Sequence, residues 1–434
     1  MHGASPMKKR ASTLAQWVAL GALVGVACGG ASAAFLLSLE RATHFREGHE
    51  QLVYFLPVAG FLLGWFYDRW GKSVRAGNNL VIDSLHGDTP QIPVRMAPMV
   101  FAGTVLTHLF GGSAGREGTA VQMGASLADW VSHTLGVGKE TRRQLLAAGI
   151  AGGFGSVFGT PIAGTLFGLE VVCVGRIEYD ALAPALVAAL VGDFVTRHLG
   201  VVHTAYPTIH FLTLTPLVLC KLAVIGAFMA LATLAFVELT HGLKHLLDRR
   251  IASPPWRMFC GGAAVVVLWK LIGTSDYLGL GVPMIVRSFS DESLPAYAFA
   301  AKLLFTSVTL ASGFIGGEVT PLFFVGATLG SVMARGLGLP IELGAGVGIA
   351  AVFGAAANTP IALSIMAVEL LGAAAFPHVV IVTVIAYLLS GHRSIYPAQR
   401  ILRRKYGGTS LEKGLPLRDY RESMFPPSSR PPTE

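Results

Sequence analysis

Charge is scarce in this chain. Asp, Glu, Lys and Arg make up only 13% of its 434 residues, against roughly 25% in soluble proteins, which excludes an ordinary soluble enzyme. Cysteine is scarce too: Cys28, Cys173, Cys220 and Cys260 lie in apolar stretches without C-x-x-C spacing. That argues against a disulfide framework or a thiolate site and reads the four as buried thiols. His198, His203 and His210 fit no ligand pattern and read as surface residues, so neither a metal nor a cofactor is expected. Nor is there a basic face for nucleic acid. The net charge of +8 gathers at the ends of apolar segments, at Lys8, Lys9 and Arg10, at Arg69, Lys72 and Arg75, at Lys139, Arg142 and Arg143, at Arg249, Arg250 and Arg257, and from Arg393 to Arg430. This positive-inside distribution assigns both termini to the cytoplasm, and no nucleic-acid partner is expected.

Apolar residues are abundant instead. At 53% hydrophobic, the chain carries about 230 of them, enough at roughly 20 per span for about ten crossings of a lipid bilayer. A polytopic membrane protein follows. The first stretch, Trp17 to Leu39, follows a basic start and contains Ala31-Ser32-Ala33, which raises a cleaved signal peptide. It exceeds the roughly 7–15 residues of a signal core, and is read as a retained helix. No linker marks off a soluble domain, and the tail after Arg400, with Pro426, Pro427, Pro431 and Pro432, reads as unstructured.

The strongest architectural signal is internal similarity. Thr160-Pro161-Ile162-Ala163 with Glu170 recurs as Thr359-Pro360-Ile361-Ala362 with Glu369, an offset of 199. Gly115-Arg116-Glu117-Gly118-Thr119 lines up with Gly316-Gly317-Glu318-Val319-Thr320 at an offset of 201. Two related halves, residues 1–210 and 211–400, are therefore expected, followed by a cytoplasmic tail over 401–434. Halves built from broken apolar segments, with polar residues at matching positions, are the pattern of a transporter around a central site. An odd number of crossings per half would invert one half relative to the other, and that all-α inverted repeat is the expected fold.

Glu117 is the most informative residue, because it sits in a glycine-rich break between apolar stretches. A carboxylate at membrane depth costs about 2.5–3.5 kcal/mol or more, so it is paired, protonated on demand, or functional. Glycines leave the backbone approachable, and the free N–H groups opening the next helix make an anion site. A tethered carboxylate can occupy such a site and leave it when protonated. The plainer alternative is a Glu117 paired with Arg116 or capping a helix. Glu318 lies at the corresponding break, a second candidate with Glu117 for gating and proton transfer, where Pro321 suits a first helical turn and the backbone from Glu318 to Thr320 offers N–H donors. Glu170 and Glu369 read as ties between helix ends, and Asp193, Lys221, Lys270 and Lys302 as residues that sit near helix ends or snorkel. An enzyme is the rival class, since Gly111-Gly112-Ser113-Ala114-Gly115 matches G-x-S-x-G. The strand that such a nucleophile turn requires is absent, and His108 or His378 would have to serve as base.

Gly115-Arg116-Glu117-Gly118, the run from Gly316 to Pro321, and Ser394-Ile395-Tyr396 resemble, in order, the signature segments of the CLC family of anion channels and proton-coupled anion transporters. The resemblance implies that Glu117 is the gating glutamate and that Tyr396 offers its hydroxyl to a central anion. It also implies a homodimer. The departures narrow it. Asn78 stands where chloride-handling members have serine, Thr119 follows the gate where they have proline, Val171 falls at the inner proton-relay position, and Glu318-Val319-Thr320 replaces apolar residues. This combination resembles the fluoride-exporting branch. Fluoride is small and strongly hydrated, so it needs compact donors. These are Asn78, Thr320 and Tyr396, with Gly115, Arg116, Gly118 and Val319 framing the pocket. Proton-coupled fluoride export across a bacterial inner membrane is therefore expected. Chloride/proton exchange or a passive anion channel is the alternative.

Overall fold

A computed structural model describes residues 6–87, 91–407 and 414–424, with side chains from 13 to 420. Pro426, Pro427, Pro431 and Pro432 lie outside the described residues, and so do the side chains of Lys8, Lys9 and Arg10. The first half holds α1 (Pro6–Glu47), α2 (Leu56–Trp70), α3 (Asn78–Leu85), α4 (Met96–Leu109), α5 (Glu117–Thr134), α6 (Lys139–Phe158), α7 (Pro161–Glu170) and α8 (Leu182–His198). The second holds α9 (Pro216–Arg250), α10 (Pro254–Ile272), α11 (Val282–Arg287), α12 (Ala298–Ala311), α13 (Val319–Leu337), α14 (Ile341–Ala357), α15 (Pro360–Leu371) and α16 (Phe376–Leu389). The chain is an all-α polytopic membrane protein built as an inverted repeat.

Glycine and proline decide where the apolar stretches break. The run from Leu145 to Val174 reads as one segment but divides at Gly159, which caps α6 in the left-handed region at φ +74°, and Pro161 then opens α7. Asn358 at φ +56° and Pro360 repeat this between α14 and α15. At 42 residues, α1 is about 63 Å long. That is about twice the bilayer core, so the helix tilts and extends beyond it.

The halves meet reciprocally. Ile361 and Ala362 donate their N–H groups to Glu170 at 3.2 and 2.8 Å, while Ile162 and Ala163 donate to Glu369 at 3.0 and 2.7 Å. Each carboxylate thus caps the other half's helix, satisfying donors that a helix start leaves unpaired. Beneath these caps, Phe154, Phe158, Phe167, Phe323 and Phe353 form one stack, with Phe154 and Phe167 4.3 Å apart between ring centres.

Small residues let the helices approach. In α13 against α14, a Cβ on Gly348 would fall inside the van der Waals radius of the Gly326 carbonyl, and the reverse also holds. Gly348→Ala should lower the melting temperature of the detergent-solubilised protein, by overpacking of about 1–3 kcal/mol. Gly336→Ala, at a position of α13 with open space, should not. Equal melting of the two variants in a thermal scan would refute this packing argument.

Several sequence expectations change. The register of the repeat is 202 across the central helices, since α4, α5 and α6 start at Met96, Glu117 and Lys139 where α12, α13 and α14 start at Ala298, Val319 and Ile341. It drops to 199 after α6, because α6 has 20 residues and α14 has 17. Glu117 therefore corresponds to Val319, and Glu318 to Arg116. Cys28 and Cys173 are buried, but Cys220 and Cys260 are exposed, on α9 and α10. Lys302 neither snorkels nor ends a helix. It is fully buried, donating to the carbonyls of Tyr277 and Gly279 at 3.2 and 2.7 Å, which a non-helical stretch leaves unpaired. His203 is largely buried, its ring 3.4 Å from Asp193.

The tail also departs from an unstructured segment. Arg400–Ile401 (β2) pairs parallel with Cys173–Val174 (β1) and antiparallel with Leu415–Pro416 (β3). A last helix, α17 (Leu417–Met424), follows. Leu417 and Tyr420 bury against Val174 and Ile401, and Arg418 reaches Asp83 at 3.3 Å. Burial of these four residues supplies the apolar contact that holds the segment.

Candidate functional site

The two glycine-rich breaks cross each other. Gly115 donates to the Gly317 carbonyl at 2.6 Å and Gly317 donates back at 2.8 Å, an antiparallel bridge between equivalent residues. Such closeness needs residues without Cβ atoms: one on Gly115 would lie 3.0 Å from the Gly317 oxygen, and one on Gly317 2.8 Å from the Gly118 nitrogen. Gly111 and Gly313, at φ +88° and +103°, turn the chain out of α4 and α12 into these crossings.

As a result the N-termini of α5 and α13 converge, and Glu117 lies between them, 1% exposed. Its carboxylate accepts the Thr320 N–H at 3.1 Å and the Arg116 N–H at 3.2 Å. The Thr320 hydroxyl is 2.6 Å from both carboxylate oxygens. The carboxylate thus occupies the first turn of α13 as a bound anion would, using donors that the helix cannot satisfy itself. The Arg116 guanidinium stands 3.5 Å away without a hydrogen bond, its Nε buried and unpaired. This is an ion pair, but backbone and hydroxyl donors make the shorter contacts.

Around Gly118 the remaining polar groups gather. A Cβ placed there would meet the Asn78 Nδ2 at 3.0 Å and the Glu318 Oε2 at 3.7 Å. The Asn78 Oδ1 and the Glu318 Oε2 are buried without a hydrogen-bond partner. Buried polar atoms without partners are costly, so a site of this kind is built for something that completes it. Val319 opens α13 beside them, buried.

Tyr396 is buried and within electrostatic reach of Glu318 and Glu117. A bonded frame holds its segment. The Tyr396 N–H donates to the Ser394 hydroxyl at 2.9 Å, which donates to Gln399 at 2.6 Å. Gln399 donates in turn to the carbonyls of Val171 and Ala357, both at 2.7 Å. Asn358 donates to Gln399 and to the Arg393 carbonyl, both at 3.1 Å. The Val171 side chain itself is buried and carries no proton.

Sequence reasoning missed the supporting roles of several residues. Thr119 joins Thr104 of α4 through their hydroxyls at 2.7 Å, and the His108 ring spans the carbonyls of Thr104 and Ala114 at 2.8 and 3.0 Å. Both nitrogens of that ring face carbonyls, while the Ser113 hydroxyl contacts Thr306 at 3.0 Å. Asn79 accepts the Ala398 N–H at 3.0 Å, tying α3 to the Tyr396 segment. Tyr206, partly buried, lies within electrostatic reach of Arg116 and Glu117, and Lys244 of α9 within reach of Glu318. The i,i+4 spacing of Thr104 and His108 was the one available signal. The rest act across loops with no local pattern.

Comparison with known proteins matches this geometry. The profile of the family described as "Voltage gated chloride channel" covers residues 59–391. A chloride/fluoride channel protein of Pseudomonas syringae pv. tomato is 48% identical over 399 residues, 91% of this chain and 88% of that protein. The crystal structure of a CLC-type fluoride/proton antiporter superposes with a TM-score of 0.87 at 38% identity, over 89% of this chain and 98% of the other. A slow cyanobacterial chloride/proton antiporter shares the fold, with a TM-score of 0.77 at 19% identity over 86% of this chain and 94% of that one. The crossed glycine breaks, the converging helix N-termini and these likenesses together make the chain a member of the CLC family of membrane ion-transport proteins.

Proposed function

We propose that this protein exports fluoride in exchange for protons across a bacterial inner membrane, as a homodimer with both termini in the cytoplasm. The observation that carries the reading is the Glu117 carboxylate seated on the donors of α13, held by the Thr320 N–H and hydroxyl. An anion arriving at those donors competes with the carboxylate, and protonation releases the carboxylate by removing its charge. Asn78 and Tyr396 close the pocket around the anion, while Glu318 and Thr320 favour fluoride over a larger, softer halide. Arg116, Gly115, Gly118 and Val319 frame the pocket. The cycle moves ions and protons without a bond-making step on any substrate.

The fluoride reading is supported by the 48% identical relative named for chloride and fluoride and by the likeness to a fluoride/proton antiporter. Chloride/proton exchange is less favoured, because Val171 offers no carboxylate at the inner relay position. Liposomes containing the purified protein and loaded with fluoride or chloride test this, with a halide electrode outside and a pH dye inside. Fluoride efflux is expected to acidify the interior and to exceed chloride efflux. Equal efflux of both ions, or fluoride efflux without any change of pH, would sink the proposal.

A further inference from the structure

A cavity lies away from the Glu117 site, where α16 ends and the chain turns toward β2. It encloses about 600 Å³. His392, Arg393, Arg404, Tyr406 and Tyr420 line it, and the apolar side chains of Leu234 and Leu389 form its other wall. Its electrostatics are one-sided. Burial, followed by the nearby cations Lys405, Arg404 and Arg393, holds the His392 imidazole below the usual range. The facing carboxylate, Glu238 of α9, is bonded to Arg393 at 3.2 Å. Arg404 has no carboxylate partner among the described residues, and its guanidinium lies 5.8 Å from the Tyr420 ring centre. Lys405, beside the cavity, donates its ammonium to the Tyr387 carbonyl at 2.7 Å.

The hydrogen-bonding pattern adds direction. The Lys405 N–H donates to the His392 Nε2 at 3.2 Å, so that nitrogen is the acceptor and Nδ1 carries the proton as a donor. The Tyr406 hydroxyl donates to the Leu388 carbonyl, so the guanidinium groups of Arg404 and Arg393 and the His392 imidazole around one void form the donor set for phosphate oxygens, which arginine binds bidentately. Leu389 and Tyr406 are exposed at the rim, 52% and 65%, beside a helix end where tyrosine and basic residues gather at a membrane boundary.

We propose that this cavity binds a phosphate group, carried by an anionic phospholipid headgroup or free in solution. The occupant would bridge Arg393, at the end of α16, to Arg404 of the docked tail. Because the Arg393 carbonyl is bonded to Asn358 and Ser394 follows directly, the bridge stiffens the frame that positions Tyr396.

Thermal unfolding of the full-length protein in neutral detergent tests this with two probes. Inorganic phosphate is titrated at constant ionic strength against chloride, and phosphatidylglycerol against phosphatidylcholine. The melting temperature is expected to rise saturably with phosphatidylglycerol, with phosphate, or with both, and phosphatidylcholine is expected to have no effect. A response to the lipid alone assigns the site to a headgroup, whereas a response to phosphate shows that the free ion suffices. Arg404→Gln should shift the midpoint by roughly tenfold, the size expected for one charge-assisted contact, and Arg404→Lys by less. Tyr406→Ala, which opens the rim, gives a second variant should Arg404→Gln not purify. A wild type that responds to neither probe, or variants that respond as the wild type does, overturn the proposal.

Discussion

Glu117→Gln is expected to abolish coupled proton movement. The amide keeps the size of the carboxyl and can still accept from the Thr320 N–H and hydroxyl, which contact Glu117 at 3.1 and 2.6 Å, but it neither takes up a proton nor carries one. In reconstituted liposomes driven by a fluoride gradient, proton flux should fall at least about 100-fold, the lower range for removing an acid–base group from its step. The informative quantity is the ratio of protons to fluoride. A Glu117 that only fastened α5 to α13 would, when replaced, lower both fluxes together and leave the ratio unchanged. A preserved ratio would therefore refute its assignment as gate and proton carrier.

Thr320→Val should have the next largest effect. Valine has the shape of threonine without the hydroxyl that contacts both Glu117 oxygens at 2.6 Å, and the Thr320 N–H remains in place. A hydrogen bond to a charged acceptor is worth about 1.5–3 kcal/mol, or roughly 10- to 150-fold. Fluoride concentrates its charge in the smallest volume and depends most on a compact donor. The preference for fluoride over chloride should accordingly fall about tenfold or more, and Thr320→Ser should restore most of it. Efflux of each halide measured side by side decides the matter, and an unchanged preference in Thr320→Val would remove the hydroxyl from the selectivity argument.

Much of the site was legible because membrane burial makes polar residues conspicuous. Glu117 and Glu318 stand out in glycine-rich breaks since a charge at membrane depth is costly without a partner. The reciprocal caps of Glu170 and Glu369 were visible as a repeated Thr-Pro-Ile-Ala with a glutamate at equal spacing. Lys302 was misread because its partners, the carbonyls of Tyr277 and Gly279, lie in a non-helical stretch 25 and 23 residues away. His108 appeared only as a possible base for Ser113, and its structural position between two carbonyls depends on how α4 runs into the break.

The amino-acid sequence by itself determined the class of solvent, the two halves and the places where helices stop, because hydrophobicity, glycine and proline act on each residue locally. Tertiary structure alone decided the register at the crossing, which pairs Gly115 with Gly317 and so sets Glu117 against Val319 rather than against Glu318. It also brought the Thr320 hydroxyl to a carboxylate 203 residues earlier and docked the tail through β2. These contacts join segments far apart in the chain, and the length difference that shifts the register is absorbed between α6 and α14. No local periodicity encodes where two distant backbones approach closely enough to exchange hydrogen bonds.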